Sequence, residues 1–351
     1  MRHAPSGPLA AFCVGVEGAC HNKNREELVR RIIGLAAVAV LLSGISAFAQ
    51  SYPDRPVKIV VPFAPAGPTD VIARIVADKL SINLGKQFYV ENRAGAGGNT
   101  GTAQVATSPP DGYTLIVVST GFVVNPSLFA KVPYDPVKDF APISIVAVSP
   151  NVMTVNPSVP AKSVKELVDL IKANPGKYSF ASPGVGSTPH LSGEIFRISQ
   201  GIDLVTVQFT GAGPAIQNTL GGHTPIAFTA LPPAAPQIKD GKLRALVVTS
   251  EKRVSGFPDV PTVAEAGLTG QEAYTLTGML APAGTPKAIV DLLHDEIVKI
   301  VALPDVQKRL DDLGFDVVAN SPGEFAARIK TEMEKWGKVI RDAKIRIDGA
   351  Q

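Results

Sequence analysis

"VKIVVPFAPAGPTDVIARIVADKLSINLG" (57–85) decides how the rest of the chain is read. Its opening, "VKIVVPF", is a continuous β-branched run flanked by prolines, which predicts a strand. After a Pro/Gly turn, Val71, Ile72, Ile75, Val76 and Leu80 fall at helical spacing on one face. The unit then repeats. "FYVEN" reads as a second strand, and "RAGAGGNTGTAQVATS" as a glycine turn leading into a helix of small residues. "YTLIVVS" (113–119) is a third strand. This βαβαβ order specifies an α/β fold with a mostly parallel sheet covered by helices.

The alternation restarts after Pro150. Ser163 and Glu166 form a capping box ahead of "VKELVDLIKANPG". "YSFAS" follows as a strand, and Thr188-Pro189 opens the next helix, with proline at the first helical position. "LVTVQF", "GPAIQNTLGG", "PIAF" and "LRALVVTS" continue strand–helix–strand–strand. Thr262 and Glu265 cap a short helix, and "YTLTGMLAPAGTP" (274–286) is extended up to a turn. Two long helices follow, one from Thr285-Pro286 and one from Ser321 to about Ala343. Two lobes result, each a mostly parallel sheet flanked by helices. The helical tail returns to the first, giving lobe 1 as 50–149 and 276–351 and lobe 2 as 150–275. The chain crosses between them near 146–156 and near 274–281. No repeat of 20–50 residues is present, which excludes a solenoid.

Residues 1–49 belong to neither lobe. Arg30-Arg31, the apolar run "IIGLAAVAVLLSG" and the small-x-small pattern Ala47-Phe48-Ala49 form a secretory signal peptide. The run is shorter than the roughly 20 apolar residues of a membrane span. Cleavage near Ala49-Gln50 would release an exported chain with no membrane insertion. The stretch ahead of Arg30 fits a signal n-region poorly, and a start near Val29 accounts for that. Both cysteines, Cys13 and Cys20, lie in the removed part, so no disulfide and no cysteine-ligated metal is expected. The mature chain keeps 29 Lys/Arg against 28 Asp/Glu. A balance that even has no basic stripe for nucleic acid and no polybasic membrane patch.

Chemistry concentrates where strands run into helices. "ASPGVGSTPHLSGEIF" (181–196) joins Gly184 and Gly186 to Ser187, Thr188 and His190. It lacks the lysine of a phosphate loop and the G-x-S-x-G of a nucleophile elbow. "GAGGNTG" (95–101) has Thr100 where a dinucleotide fingerprint needs glycine. The three scattered histidines that follow the signal peptide make no metal site, and no cofactor is implied. What remains is the backbone: the first N–H groups of a helix lack internal partners, and its start carries about half a positive charge. Ser182, Gly186, Ser187, Thr188 and His190 are candidates of this kind. "VPFAPAGPTD" (61–70) repeats the design with Phe63, Ala66, Gly67, Thr69 and Asp70, although Thr69 or Asp70 can equally cap its own helix. Ser119, Thr120 and Asn125 of "STGFVVNPSLF" sit at the same sheet edge, where Asn125-Pro126 reads equally as the start of a turn. Gly211 of "FTGAGPA" and Thr229 after "PIAF" complete the set. In open α/β sheets that edge is where ligands bind.

"YPDRPVKIVVPFAPAGPTDVIAR", "VENRAGAGGNTGTAQVATSPPDGYTL", "GVGSTPHLSGEIF", "LRALVVTS", "FPDVPTVAEAG" and "MLAPAGTP" together resemble the Bug family, in the family's order and across residues 50–351. These are periplasmic solute-binding proteins of tripartite tricarboxylate transporters. The resemblance implies a two-lobed type II periplasmic-binding-protein fold without enzymatic activity, which closes on small carboxylates. Di- and tricarboxylates, acidic amino acids and aromatic acids are the usual cargo. In the family, the loops matching Phe63–Asp70 and Ser182–His190 hold one carboxylate, largely through main chain and water. The loaded protein, a monomer, delivers to one large and one small membrane subunit. The family's frequent aspartate after the "AF" strand end is Thr229 here, which favours a plain carboxylic acid over an amino acid. Two other readings compete: a receptor feeding a sensor kinase, and an exported serine hydrolase using Ser187 and His190.

Overall fold

The computed structural model describes residues 52–342 and 345. The signal peptide, its cleavage site and both cysteines lie outside the described residues.

Two sheets share one long strand. In the first, β1 (Val57–Val61) lies parallel between β2 (Phe88–Asn92) and β3 (Thr114–Ser119). β3 pairs antiparallel with β9 (Tyr274–Pro282), and β9 with the first part of β4 (Phe140–Val155). The short β10 (Asp316–Val317) also adds to β4. In the second sheet, β5 (Ser179–Ser182) lies parallel between β6 (Val205–Gln208) and β7 (Ile226–Ala230). The far end of β4 joins this sheet antiparallel to β7 and to β8 (Arg244–Val248). The switch is sharp: Pro150 pairs with Tyr274 in the first sheet, and Asn151 pairs with Ala230 in the second.

Helices cover these sheets. α1 (Pro68–Leu84) begins on Gly67 as N-cap and ends on Gly85, whose φ of 68° forms a left-handed cap bonded back to Ser81. Ile72, Ile75, Val76 and Leu80 are buried as the spacing requires; Val71 is only half-buried. α2 (Asn99–Ala106) follows a 3-10 turn at Ala96–Gly98. α4 (Val164–Lys172) starts on the expected box, with the Glu166 N–H donating to Ser163 Oγ. α5 (Thr188–Gln200), α6 (Ala212–Leu220) and α7 (Leu231–Lys239) complete the second unit. α8 (Lys287–Val301), α9 (Pro304–Leu313) and α10 (Pro322–Asp342) form the tail. Phe325, Ile329, Trp336 and Ile340 of α10 share a core cluster with Val60, Ile116 and Val118, so this tail helix packs on the first sheet. A separate cluster of Met153, Phe180, Phe196, Phe228 and Leu246 fills the second unit.

β4, α7 and α9 fall where the sequence marks no element, and two further segments depart from the sequence expectations. Residues 121–128 form a helix, α3 (Gly121–Leu128), with Pro126 inside it. Proline lacks the N–H that would bond the Phe122 carbonyl, and the Tyr134 hydroxyl donates to that carbonyl instead, at 3.2 Å. Thr262 and Glu265 do bond reciprocally, Glu265 N–H to Thr262 Oγ1 and Thr262 N–H to Glu265 Oε2, but they close a turn rather than a helix. Among the described residues no helix is long and apolar enough to cross a membrane.

Candidate functional site

The β1–α1 loop is held from behind by Asp70. Its Oδ2 accepts the Ala66 N–H at 3.0 Å, and both oxygens accept from Arg74, also at 3.0 Å. Oδ1 also accepts from Asn92 Nδ2 at 2.9 Å, and that amide reaches the Phe63 carbonyl too. Burial pushes the carboxyl up, but hydrogen bonds from Arg74, Ala66 and Asn92 outweigh it and hold it below its usual range. This clamp keeps Ala66 at a φ of 69°, a left-handed conformation costly for a residue with a Cβ. Gly67, Pro68 and Thr69 then begin α1 facing a cavity.

The β5–α5 loop mirrors it. Ser187 caps α5, accepting the His190 N–H at 3.3 Å and donating its own proton to the Gly184 carbonyl at 2.7 Å. The His190 ring accepts the Gly186 N–H through Nδ1 at 3.4 Å. Burial is the main cause lowering the His190 pKa to about 4; nearby Glu194 opposes the shift and Arg197 adds to it. The imidazole is therefore neutral at pH 7.

The two halves touch around the cavity. Ala64 N–H donates to the Thr210 carbonyl at 3.2 Å. A Cβ on Gly186, whose φ is 78°, would lie 2.1 Å from Asn125 Oδ1, so only glycine fits there. The cavity itself, about 30 Å³, is lined by Phe63, Gly67, Pro68, Thr69, Ser119, Pro183, Ser187, Thr188, Pro189, Gly211, Ala212, Ala230 and Thr275. No ionisable side chain is in this wall. The starts of α1, α5 and α6 and the N-cap of α7 all reach it. Proline thins their donors: Pro68, Pro189, Pro214 and the Pro232-Pro233 pair remove N–H groups from the first turns. Each start keeps one to three N–H groups with no intrahelical acceptor.

A family model described as "Tripartite tricarboxylate transporter family receptor" matches residues 72–345. The chain belongs to this receptor family. It is 38% identical to the periplasmic binding protein BugD, covering 84% of this chain and 99% of that one with a TM-score of 0.82. It is 33% identical to R. palustris Rpa4515 solved with adipate, covering 84% and 99% with a TM-score of 0.82. MatC from Rhodopseudomonas palustris with bound malate is 34% identical, covering 82% and 100% with a TM-score of 0.79. The receptor therefore has the Bug-type periplasmic solute-binding fold, and two of its relatives hold small carboxylates.

Of the residues marked from the sequence, Phe63, Gly67, Thr69, Ser119, Ser187, Thr188 and Gly211 of this receptor come together in the cavity wall. The others stand behind it. Ala66 lines an outer groove with α7 and α9, and Asp70 is spent on the loop. Thr120 Oγ1 accepts the Leu276 N–H at 2.9 Å, tying α3 to β9. Asn125 donates to Gly97 and Asn99. Ser182, Gly186 and His190 support the second loop. Thr229 is fully buried with Oγ1 unpartnered, and the wall position at that strand end is Ala230. Sequence reasoning missed Pro68, Pro183, Pro189, Ala212, Ala230 and Thr275. Ala212 follows Gly211 directly, so the glycine turn pointed at it; Thr275 comes in from a strand far along the chain, with no local signal. The hydrolase reading lacks its geometry, because the Ser187 hydroxyl donates to Gly184 and the imidazole bonds Gly186. Among the described residues no cluster of three or more His, Cys, Asp or Glu could hold a metal.

Proposed function

We propose that this protein is an extracytoplasmic, monomeric receptor that captures a small carboxylic acid between its lobes and delivers it to a membrane complex of one large and one small subunit. The lobes are 50–149 with 276–351, and 150–275. The observation that carries the reading is the wall: helix starts from both halves converge on one cavity without a charged side chain. The partial positive charge of those starts suits a single carboxylate. The adipate- and malate-bound relatives support that ligand class. The wall holds no carboxylate to pair an ammonium group, which favours a plain acid over an amino acid.

In the open form the helix starts are apart and hydrated. Acid bridging Gly67–Thr69 and Ser187–Thr188 binds the closed form better, and that difference drives closure. A backbone N–H bonded to a carboxylate contributes about 1.5 kcal/mol, and a few such bonds suit a receptor that must release its cargo. A thermal-shift panel of carboxylic acids identifies the ligand class, because an acid that binds only folded protein raises its melting temperature. Calorimetry on Gly67→Asp then tests the site. A Cβ at Gly67 meets only the Ala64 carbonyl, at 3.9 Å, so the backbone accepts a side chain there, and a melt of the variant checks that it is folded. It places like charge against the acid and abolishes binding; unchanged affinity would remove the site.

A further inference from the structure

Asn151 is fully buried at the point where β4 leaves one sheet for the other. Its Oδ1 accepts from Thr275 Oγ1 at 2.9 Å, and Thr188 Oγ1 gives its one proton to Thr275 Oγ1 at 2.5 Å, lying 3.4 Å from the same Oδ1. Its Nδ2 donates to Ser192 Oγ at 3.0 Å. Its backbone N–H donates to Thr249 Oγ1 at 2.8 Å, and its carbonyl accepts the Thr249 N–H at 2.9 Å. Thr249 Oγ1 in turn donates to the Ala273 carbonyl. One asparagine therefore joins the strand that the two sheets share, the start of β9, the exit of β8, and the first turn of α5. Thr188 and Thr275 are also wall residues of the cavity.

We propose that Asn151, acting with Thr275, is a positioning residue for ligand capture: it registers the cavity-facing start of α5 to the two strands about which the lobes turn. A hydrogen-bonded chain buried this deeply holds a defined geometry, since any member that swings away leaves a partner unpaired. The Thr188 N–H and hydroxyl thus cannot shift relative to β9 without breaking it. Lobe angle and the presentation of the α5 start become one variable. A ligand gripping α5 pulls directly on the hinge strands, and no relay through the lobe core is needed. The capture role rests on the receptor reading above, whereas the mechanical coupling does not.

The test therefore uses ligand-free protein. Hydrogen exchange followed by mass spectrometry is measured on wild type, Thr275→Val, Thr275→Ser and Ser192→Ala. Thr275→Val keeps the side chain's shape and removes its hydroxyl. It should speed exchange in the 183–191 segment, most of a hundred residues away in sequence, by about fivefold, the factor one net hydrogen bond supplies. Thr275→Ser should restore the wild-type rate. Ser192→Ala, which alters a residue outside the cavity wall, should loosen the same segment. Exchange in 226–230 of the β7 core should stay unchanged in every variant. Wild-type exchange at 183–191 in both Thr275→Val and Ser192→Ala would overturn the proposal. So would failure of Thr275→Ser to rescue, or a loosening shared equally by 226–230. The receptor reading fails separately, if no acid in the thermal-shift panel binds wild type.

Discussion

Replacing Asp70 by alanine sets two physical effects against each other. The carboxylate is only 3% exposed, yet it accepts from Ala66, Asn92 and Arg74. The Arg74 side chain is 53% exposed, so the ion pair itself is worth no more than about 0.5 kcal/mol. The bonds from the Ala66 N–H and Asn92 reach a charged acceptor away from water, at about 1.5 kcal/mol each. The variant should thus lose about 3 kcal/mol, less whatever strain is relieved if Ala66 leaves its left-handed conformation, on the order of 1 kcal/mol. For a protein of this size, that lowers Tm by about 3–5 °C at pH 7. The sign of the pH dependence follows from linkage. The folded-state pKa lies below the ordinary 3.8, so the contribution is complete above that value and fades as pH falls beneath it. Melts at pH 7 and pH 3 should show the gap between wild type and variant narrowing. Binding decides which effect dominates at the site. On charge alone, removing an anion from this loop strengthens acid binding; on geometry, releasing Ala66 and Gly67 weakens it. The loop conformation should win, with at least a tenfold loss by calorimetry. Tighter binding, or a Tm gap of the same size at both pH values, would refute the reasoning.

Gly186→Ala puts a methyl 2.1 Å from Asn125 Oδ1 on a backbone with φ of 78°, so the lobes should close less fully, with a tenfold or greater fall in affinity and a radius of gyration, by X-ray scattering, larger than wild type when acid is present. His190 has a folded pKa of about 4, below its ordinary 6.5; the unfolded chain protonates first, and stability should fall between pH 6.5 and 4, a slope that His190→Gln flattens in urea titrations. Tyr134→Phe strips the Phe122 carbonyl of the donor that replaces the missing proline N–H, and should lower stability by about 1–2 kcal/mol in the same assay.

The parts of this fold legible in the sequence are those whose signal is local. Gly67-Pro68 after an apolar run, and Gly186-Ser187-Thr188 after another, announce strand, turn and helix start within a few residues. β4 does not, because one strand serves two sheets, and its burial on both faces across Phe140–Val155 removes any alternation. α3 hides behind Pro126, which reads as a turn until Tyr134 is known to sit over Phe122. Asp70 looked equally able to cap its helix or to contact a ligand. The structure assigns it a third task, holding Ala66 in place by reaching back past the N-cap. Thr275 carried no local mark at all; its hydroxyl matters because Asn151 and Thr188, 124 and 87 residues away, arrive beside it.

The division between wall and support has a physical cause. A ligand bound by main-chain N–H groups needs close approach and exact backbone placement, but no particular side-chain charge. Proline, glycine and alanine therefore occupy most of the wall, and the polar residues that fix the backbone stand one layer back, at Asp70, Thr120, Asn125, Asn151 and His190. Those side chains bond protein partners, Asn125 through its Nδ2 alone, so on the proposed reading an acid meets few groups that could grip it strongly. Affinity then depends on how well the two helix starts are aligned when the lobes meet. A receptor built this way should respond more steeply to changes in the second layer, which move the backbone, than to loss of a single wall hydroxyl such as Ser119.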